Sequence, residues 1–397
     1  MSVLLPALGP RLVFFTGGTA LRGLSRSLTR YTHNSVHLVT PFDSGGSSAA
    51  LREAFALPAV GDIRNRLAAL ADSMIPQSVL DFWEMRLPAE GDSEALRARL
   101  RAMGSAGHPC WRPLPSVMAD VMRVHLGYFL ERMPDDFRPQ KASMGNLLLA
   151  GGYLHFQRNF TPVLSLFSRL LQVRGVVLPI VNACLHLAAE LADGSVLVGQ
   201  HHFCRLTQPV RRLYLTVHEP GRTSTALTPC RPPLSATAAT YLQSAGAICY
   251  PMGSFYTSVL SNLLPDGVGR AVAAARCPKI YIPNSGKDTE AQGLTLTAQV
   301  DMLLRHLRQD APQAGPGDLL HAVLLDSRHG RYPGGIEWKE LERRGIAVVD
   351  REMVRPDDPQ HHDPERASVA LLELVEELRA RERAPEAGTA AIPEEDA

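Results

Sequence analysis

The stretch Leu12-Val13-Phe14-Phe15-Thr16-Gly17-Gly18-Thr19-Ala20 reads as a strand running into a tight turn. Four successive apolar residues without polar alternation mark a strand covered on both faces, as in a parallel sheet. Leu21, Leu24 and Leu28 follow at helical spacing. A second unit begins at Ser35 to Val39 and passes through Thr40-Pro41-Phe42 into the polar loop Asp43-Ser44-Gly45-Gly46-Ser47-Ser48. A helix beginning near Ala49 is expected to carry Leu51, Ala54 and Phe55 inward. Another, after Gly61, puts Ile63, Leu67, Leu70, Ala71 and Met74 on one face.

Outward from this opening, residues 77–172 read as mostly helical, with breaks near 88–93 and 104–116. A β excursion follows over about 176–218, in which Leu185 to Leu191 and Val196 to Val198 flank Asp193-Gly194, a dipeptide suited to a two-residue hairpin turn. The strand–loop–helix pattern resumes at Ala247 to Tyr250, with a loop at 251–254 and a helix over Tyr256 to Leu264. Lys279 to Ile282, His321 to Leu325 and Ile346 to Val349 are further strands, and Thr297 to Arg308 is a helix. The expected fold class is α/β: a Rossmann-like, mostly parallel sheet with helices on both faces, plus a helical and β-hairpin middle region. One α/β domain spans 11–355 and a C-terminal helix 365–383. The Ala/Glu/Pro tail 384–397 has too little apolar content to fold alone.

The 397 residues carry 41 Lys plus Arg against 40 Asp plus Glu, a net charge of +1. That balance leaves no footprint for duplex nucleic acid or an anionic membrane, so neither is expected as a partner. Any phosphate must be held locally. The six cysteines form no CxxC pair, which argues against a zinc site or a disulfide framework. His201, His202 and Cys204 make at most a partial metal site, and a strand with ordinary polar side chains is the simpler expectation. No signal peptide is expected in residues 1–10. Val176 to Ala192 is interrupted by Pro179, Asn182, His186 and Glu190, so it is no membrane span. A cytoplasmic protein is expected, and self-association into a homodimer is compatible with the sequence.

Three glycine turns lie between an expected strand and helix, where an open α/β sheet places its ligand crevice and where helix N-termini offer amides to an anion. Gly17, Gly18 and Thr19 form the first; it is not GxGxxG, and Leu24 stands where a P-loop lysine would be. In the second, Gly45 and Gly46 let backbone approach a ligand, while Ser44, Ser47 and Ser48 suit phosphate oxygens. Asp43 beside a phosphate calls for a cation, and Mg²⁺ is the natural one. Asp43 and Ser47 as mere turn and helix caps is the competing explanation. In Gly61-Asp62-Ile63-Arg64-Asn65, Asp62 is either an N-cap or a second metal carboxylate, with Arg64 and Asn65 reaching ligand. Gly253, Ser254 and Thr257 lie in a fourth such loop across the sheet. Asn146 and Asn284 are polar candidates equally suited to turns or caps.

In combination these segments resemble the CofD/YvcK superfamily, the 2-phospho-L-lactate transferase-like, UPF0052-type proteins. Its GGTG turn corresponds to Gly17 to Ala20, its ADDGGSS loop to Phe42 to Ser48 and its PGDIRN segment to Val60 to Asn65. Its GN corresponds to Gly145-Asn146, and its PGSLYTS…NLL run to Met252 to Ser258 with Asn262 to Leu264. Asp43 and Asp62 are 62 − 43 = 19 residues apart, as expected of the YvcK-like branch. Departures are Ala20 for a glycine, Ser44 for the second aspartate, Met252 for a glycine, and the form of the loop after Asn284. They are compatible with a divergent branch such as the CofD-related proteins of the GAK system.

The resemblance implies a nucleotide-linked small molecule as partner and Mg²⁺ as cofactor, with Asp43 and Asp62 as catalytic and metal-binding carboxylates. One implied activity is transfer of a phospholactyl-type group with release of a nucleoside monophosphate. The other is YvcK-like binding of a nucleotide-sugar in regulation, without catalysis. A vestigial site on a Rossmann-like scaffold is the third reading, favoured by Ala20 and Ser44.

Overall fold

The computed structural model describes residues 5–206, 208–217 and 227–383. In chain order the strands are β1 (Leu12–Thr16), β2 (Val36–Val39), β3 (Val176–Pro179), β4 (His186–Leu191), β5 (Val196–Val198), β6 (Val210–Thr216), β7 (Pro229–Cys230), β8 (Ala247–Tyr250), β9 (Lys279–Tyr281), β10 (Ala322–Leu325), β11 (Ala347–Asp350), β12 (Val354–Arg355) and β13 (Asp358–His362). Seven of them form one sheet in the order β11-β10-β9-β8-β1-β2-β3, with every neighbour parallel. The chain leaves β1 toward one edge, then returns to β1's other side as β8. The strand order therefore reverses between β1 and β8, and the ligand crevice of an open parallel sheet lies at the carboxyl ends of such a pair.

Both faces of this sheet are covered, which is why its strands show no polar alternation. Val13, Phe15, Ile248 and Tyr250 face one core, shared with Leu187 and Leu215 of the antiparallel sheet and with Val300 and Leu304 of a helix over Leu296–Leu307. Leu12, Phe14, Ala247 and Cys249 face the other core, packed on α1 (Arg22–Leu28) and on the last helix, Pro364–Arg383. That helix buries Leu371, Leu374 and Val375. The tail after 383 lies outside the described residues.

A third core fills a helical lobe built from α2 (Gly46–Phe55), α3 (Gly61–Ala69), α4 (Gln77–Glu84), α5 (Ser93–Met103), α6 (Ser116–Leu130), α7 (Met144–His155) and α8 (Phe160–Leu170). The lobe meets the sheet at Val39 and Val177.

Several sequence expectations need correction. Val176–Pro179 is the edge strand of the parallel sheet, paired with β2 from Val36↔Val176 to Val39↔Pro179, and no part of the β excursion. The excursion proper is a four-stranded antiparallel sheet, β5-β4-β6-β7, with Gly194 at φ +84° in its first hairpin. The second helix begins at Gly46 rather than near Ala49, because the Gly45 carbonyl already accepts the Ala49 amide. Met74 lies beyond the end of α3 and is 81% exposed. Gln200–Arg205, with its two histidines, is a 3₁₀ turn and not a strand. Tyr256 to Leu264 is a wide π turn over Phe255–Val259 followed by a 3₁₀ turn over Leu260–Leu263. Among the described residues, no helix is long and apolar enough to cross a membrane.

Candidate functional site

Strands β1, β2 and β8 deliver three loops to one edge of the sheet, and small residues let them pack. A Cβ on Gly17 would lie 2.8 Å from both Ser258 Oγ and Thr40 Oγ1, so the first loop touches the other two. Gly18 takes φ +36° and Gly46 φ +49°, a region that costs an L side chain strain. Asn262, fully buried, donates through Nδ2 to the Thr16 carbonyl at 3.0 Å and the Ser258 carbonyl at 2.8 Å, tying the end of β1 to the turn after β8.

Asp43 stands where β2 gives way to α2. Its Oδ1 accepts the Gly45 amide at 2.9 Å, and the buried Arg52 donates to its carbonyl at 3.2 Å. A Cβ on Gly61 would sit 3.1 Å from Asp43 Oδ2 and 2.6 Å from Ser48 Oγ, so the residue before Asp62 must be glycine for the two segments to meet. Asp62 caps nothing: it lies in the first turn of α3, whose N-cap is Val60. The side chain is 8% exposed and its Oδ2 has no hydrogen-bond partner among the described residues. Burial pushes the Asp62 carboxyl up to about 6, and the nearby Asp43 pushes the same way; the Gly18 amide, Arg66 and Arg64 oppose them. An unpaired buried carboxylate oxygen facing a second carboxylate is costly unless a cation joins them.

Two buried arginines, Arg64 and Arg66, lie close enough to act on the Asp62 carboxyl. Arg66 is buried beneath Asp62 and donates to Ser25 Oγ at 2.5 Å and Thr16 Oγ1 at 2.8 Å. Burial lowers its guanidinium to about 10, with Asp62 acting the other way. Arg64 is lowered to about 10 by burial and then by Arg86, with Arg22 adding to the effect. Its Nη2 donates to Asn65 Oδ1 at 2.6 Å, and its stem fills the space beside Gly145.

The serines divide their work. Ser47 and Ser48 are buried, and Ser47 Oγ accepts Asn146 Nδ2 at 2.8 Å, which anchors the loop to the start of α7. No side chain caps α2, whose first amides face the crevice beside Gly45. Ser44 Oγ pairs with His201 Nδ1 at 2.8 Å and accepts the His201 amide at 3.3 Å. Burial and then His202 lower the His201 imidazole below its ordinary value, so it is neutral near pH 7. Phe203, fully buried, pins the turn that presents it.

On the far side, Gly253 exchanges two hydrogen bonds with Asn284, at 2.9 and 2.8 Å. Thr257 is occupied within the fold: its hydroxyl and amide donate to Glu290 at 2.7 and 2.9 Å, the Tyr256 amide joins at 3.0 Å, and Asp288 accepts Phe255 N–H at 3.0 Å. The amides after Ser254 are thus taken by protein carboxylates. The structure gathers Gly17, Gly18, Thr19, Asp43 to Ser48, Asp62 and Gly253 around the crevice, whereas Thr257 points to Glu290. Sequence reasoning missed Arg66 and Glu290, and it named His201 only as part of a partial metal site with His202 and Cys204, not as the partner of Ser44. Arg66 alone carried a local signal, four residues after Asp62 on one helical face.

Among the described residues no three His, Cys, Asp or Glu cluster to hold a metal by themselves. Two carboxylates, one with an orphaned oxygen, nonetheless fit a hard cation that takes its remaining ligands from water and substrate phosphate, as Mg²⁺ does.

A family model described as 2-phospho-L-lactate transferase CofD matches residues 12–355. The chain belongs to the CofD family. It is 28% identical over 382 residues to the gluconeogenesis factor of Bacillus subtilis (strain 168), covering 93% of this chain and 99% of that protein. It is 27% identical over 373 residues to the gluconeogenesis factor of Halalkalibacterium halodurans, covering 91% and 95%. A crystal structure of a UPF0052 family member from Bacillus halodurans superposes with a TM-score of 0.67 at 23% identity, over 92% of this chain and 99% of that one, and shares the fold.

Proposed function

We propose that this CofD-family protein binds a nucleotide-diphospho conjugate in the crevice between β1, β2 and β8 and transfers a phospholactyl-type group from it, releasing a nucleoside monophosphate. The observation that carries this reading is the Asp43–Asp62 pair, with an unpartnered buried oxygen on Asp62, beside the start of α2, which no side chain caps. Asp43 and Asp62 would hold Mg²⁺, which when bound neutralises charge on the diphosphate. The amides at the start of α2 receive phosphate oxygens, and Arg64 supplies a positive flank. An acceptor hydroxyl oxygen bonds to phosphorus as the bond to the nucleoside monophosphate breaks. The neutral His201, held on Ser44 at the rim, is suited to take the hydroxyl proton. We place the protein in the cytoplasm with its small-molecule ligand.

A second reading, a nucleotide-sugar-binding regulator without turnover, is favoured by relatives named gluconeogenesis factors and by Ser44, which offers His201 a hydroxyl where a further carboxylate is expected. Incubation with GDP- and UDP-linked conjugates and Mg²⁺ separates the two. Acceptor-dependent release of GMP or UMP, abolished in Asp43→Asn, supports transfer. Tight binding of a UDP-sugar without release supports regulation. If neither ligand class raises the melting temperature, both readings fail.

A further inference from the structure

Strand β6 has one edge without a partner along most of its length. It pairs with β4 from Leu191↔Val210 to His186↔Thr216, but meets β7 only at Leu215↔Cys230 and Thr216↔Pro229. Pro232 and Pro233 follow β7, and a proline has no amide for a ladder. The chain turns off toward Asp266, whose amide donates to the Pro232 carbonyl at 2.9 Å. The Leu187 carbonyl accepts the Gly199 amide on the side of β4 away from β6. Leu215, opposite Leu187, therefore turns its backbone away from β4, and so does Leu213, two residues earlier. Leu215 finds Cys230, whereas Leu213 has no strand beside it. Native proteins usually cover such an edge.

Along this edge runs a groove of about 300 Å³ between β6 and the helix over Leu296–Leu307, lined by Arg211, Arg212, Tyr214, Arg231, Met302 and Arg305 among others. Among the described residues no Asp or Glu lines it. Arg211 pairs with Glu190 at 3.3 Å and Arg231 with Asp266 at 4.0 Å. Among the described residues no carboxylate pairs with Arg212 or Arg305, and Arg212 lies over the Tyr214 ring at 5.4 Å. The groove thus suits an extended, acidic segment.

The chain carries such a segment. Beyond Arg383 lie 397 − 383 = 14 residues, with Glu386, Glu394, Glu395 and Asp396 but no Lys, Arg or His. Residues 386–392, between Pro385 and Pro393, each bring an amide and suffice for a strand along Val210 to Tyr214. The starting point is also suitable. Arg379 of the last helix packs on Gly246, whose amide donates to the Arg11 carbonyl, at the amino edge of β8 and β1. The helix over Leu296–Leu307 returns the chain from the carboxyl end of β9 toward the amino end of β10, so Arg305 lies toward that edge too. Fourteen extended residues span about 45 Å, twice the radius of gyration of about 21 Å for a folded chain of this length.

We propose that residues 384–397 dock in the groove beside β6, adding a strand along its free edge and setting Glu394, Glu395 and Asp396 among the arginines. Main-chain hydrogen bonds supply the affinity and the arginines the choice of an acidic segment. Tethering holds the tail at an effective concentration of about millimolar, so weak docking is enough. The assignment is independent of the nucleotide function proposed above.

The test is hydrogen–deuterium exchange of the full chain and of a chain ended at Arg383, at equal concentration, read at the Leu213 amide. The ended chain should exchange that amide roughly tenfold faster, while the amides of β1 exchange alike in both and show that it is folded. In the full chain, Glu394→Gln combined with Glu395→Gln and Asp396→Asn, or about 0.5 M NaCl, should reproduce much of that acceleration. A synthetic peptide of residues 384–397, at about 1 mM, should slow the exchange again in the ended chain. Equal exchange at Leu213 in the two chains overturns the docking, as does protection that survives neutralisation of the three carboxylates. Protection that rises with protein concentration overturns it in favour of a second copy.

Discussion

Replacing Asp62 by asparagine should make the free protein more stable near pH 7.5 and remove its response to Mg²⁺. Burial and Asp43 raise this carboxyl from 3.8 to about 6. For an acid, a raised folded-state value means that the folded protein holds the proton more tightly than the unfolded chain does. The charged form therefore costs nothing below 3.8. Its cost grows as pH rises through the window from 3.8 to about 6 and is fully in force above it. At about 1.4 kcal/mol per factor of ten, the full cost is about 3 kcal/mol, and roughly half of that applies at pH 5. Asparagine keeps the shape without the charge. Urea denaturation should show the variant more stable by about 1–3 kcal/mol at pH 7.5, with the gap roughly halved at pH 5. Adding Mg²⁺ with GDP should stabilise the wild type and leave the variant unmoved. A variant less stable than the wild type at pH 7.5, or a gap indifferent to pH, would refute the picture of a buried carboxylate awaiting a cation.

Other perturbations probe the neighbouring contacts. Gly61→Ala introduces a Cβ 2.6 Å from Ser48 Oγ and 3.1 Å from Asp43 Oδ2; it should cost about 1–3 kcal/mol in thermal unfolding and weaken nucleotide binding, and full affinity would show that the two segments need not touch. His201→Ala removes an exposed ring, so stability should change by less than about 0.5 kcal/mol. Turnover should fall, and the acidic limb of the pH–rate profile, set below 6.5 by the imidazole, should disappear; an unchanged profile removes His201 from the reaction. Glu290→Ala strips three hydrogen bonds from the turn over Phe255–Val259 and should lower stability by about 3 kcal/mol, read from the denaturant midpoint. A loss below about 1 kcal/mol would mean that water replaces the carboxylate.

The order of elements at both ends was legible because each strand of the parallel sheet is buried on two faces. Leu12 to Phe15 and Ala247 to Tyr250 announce that burial as unbroken apolar runs. Val176–Pro179 is equally apolar, yet nothing in four residues says whether the partner is β2 in a parallel sheet or a hairpin strand. Pairing is a long-range choice, made by which surface is left to cover. Likewise Met74 keeps the helical spacing of Ile63 and Leu67, but α3 ends at Ala69, and periodicity carries no stop signal of its own there.

By itself the sequence determined the α/β class, the loops at the carboxyl edge, and the pair Asp43 and Asp62 on either side of one short helix. Those features depend on spacing and on the backbone freedom of a few glycines, which are local properties. Only the tertiary structure decided what completes the site. Ser44 meets His201 across 157 residues, and Thr257 meets Glu290 across 33. Neither pair has a spacing that a helix or strand period would align. They meet because the strand order reverses between β1 and β8, which brings loops from distant parts of the chain to one edge.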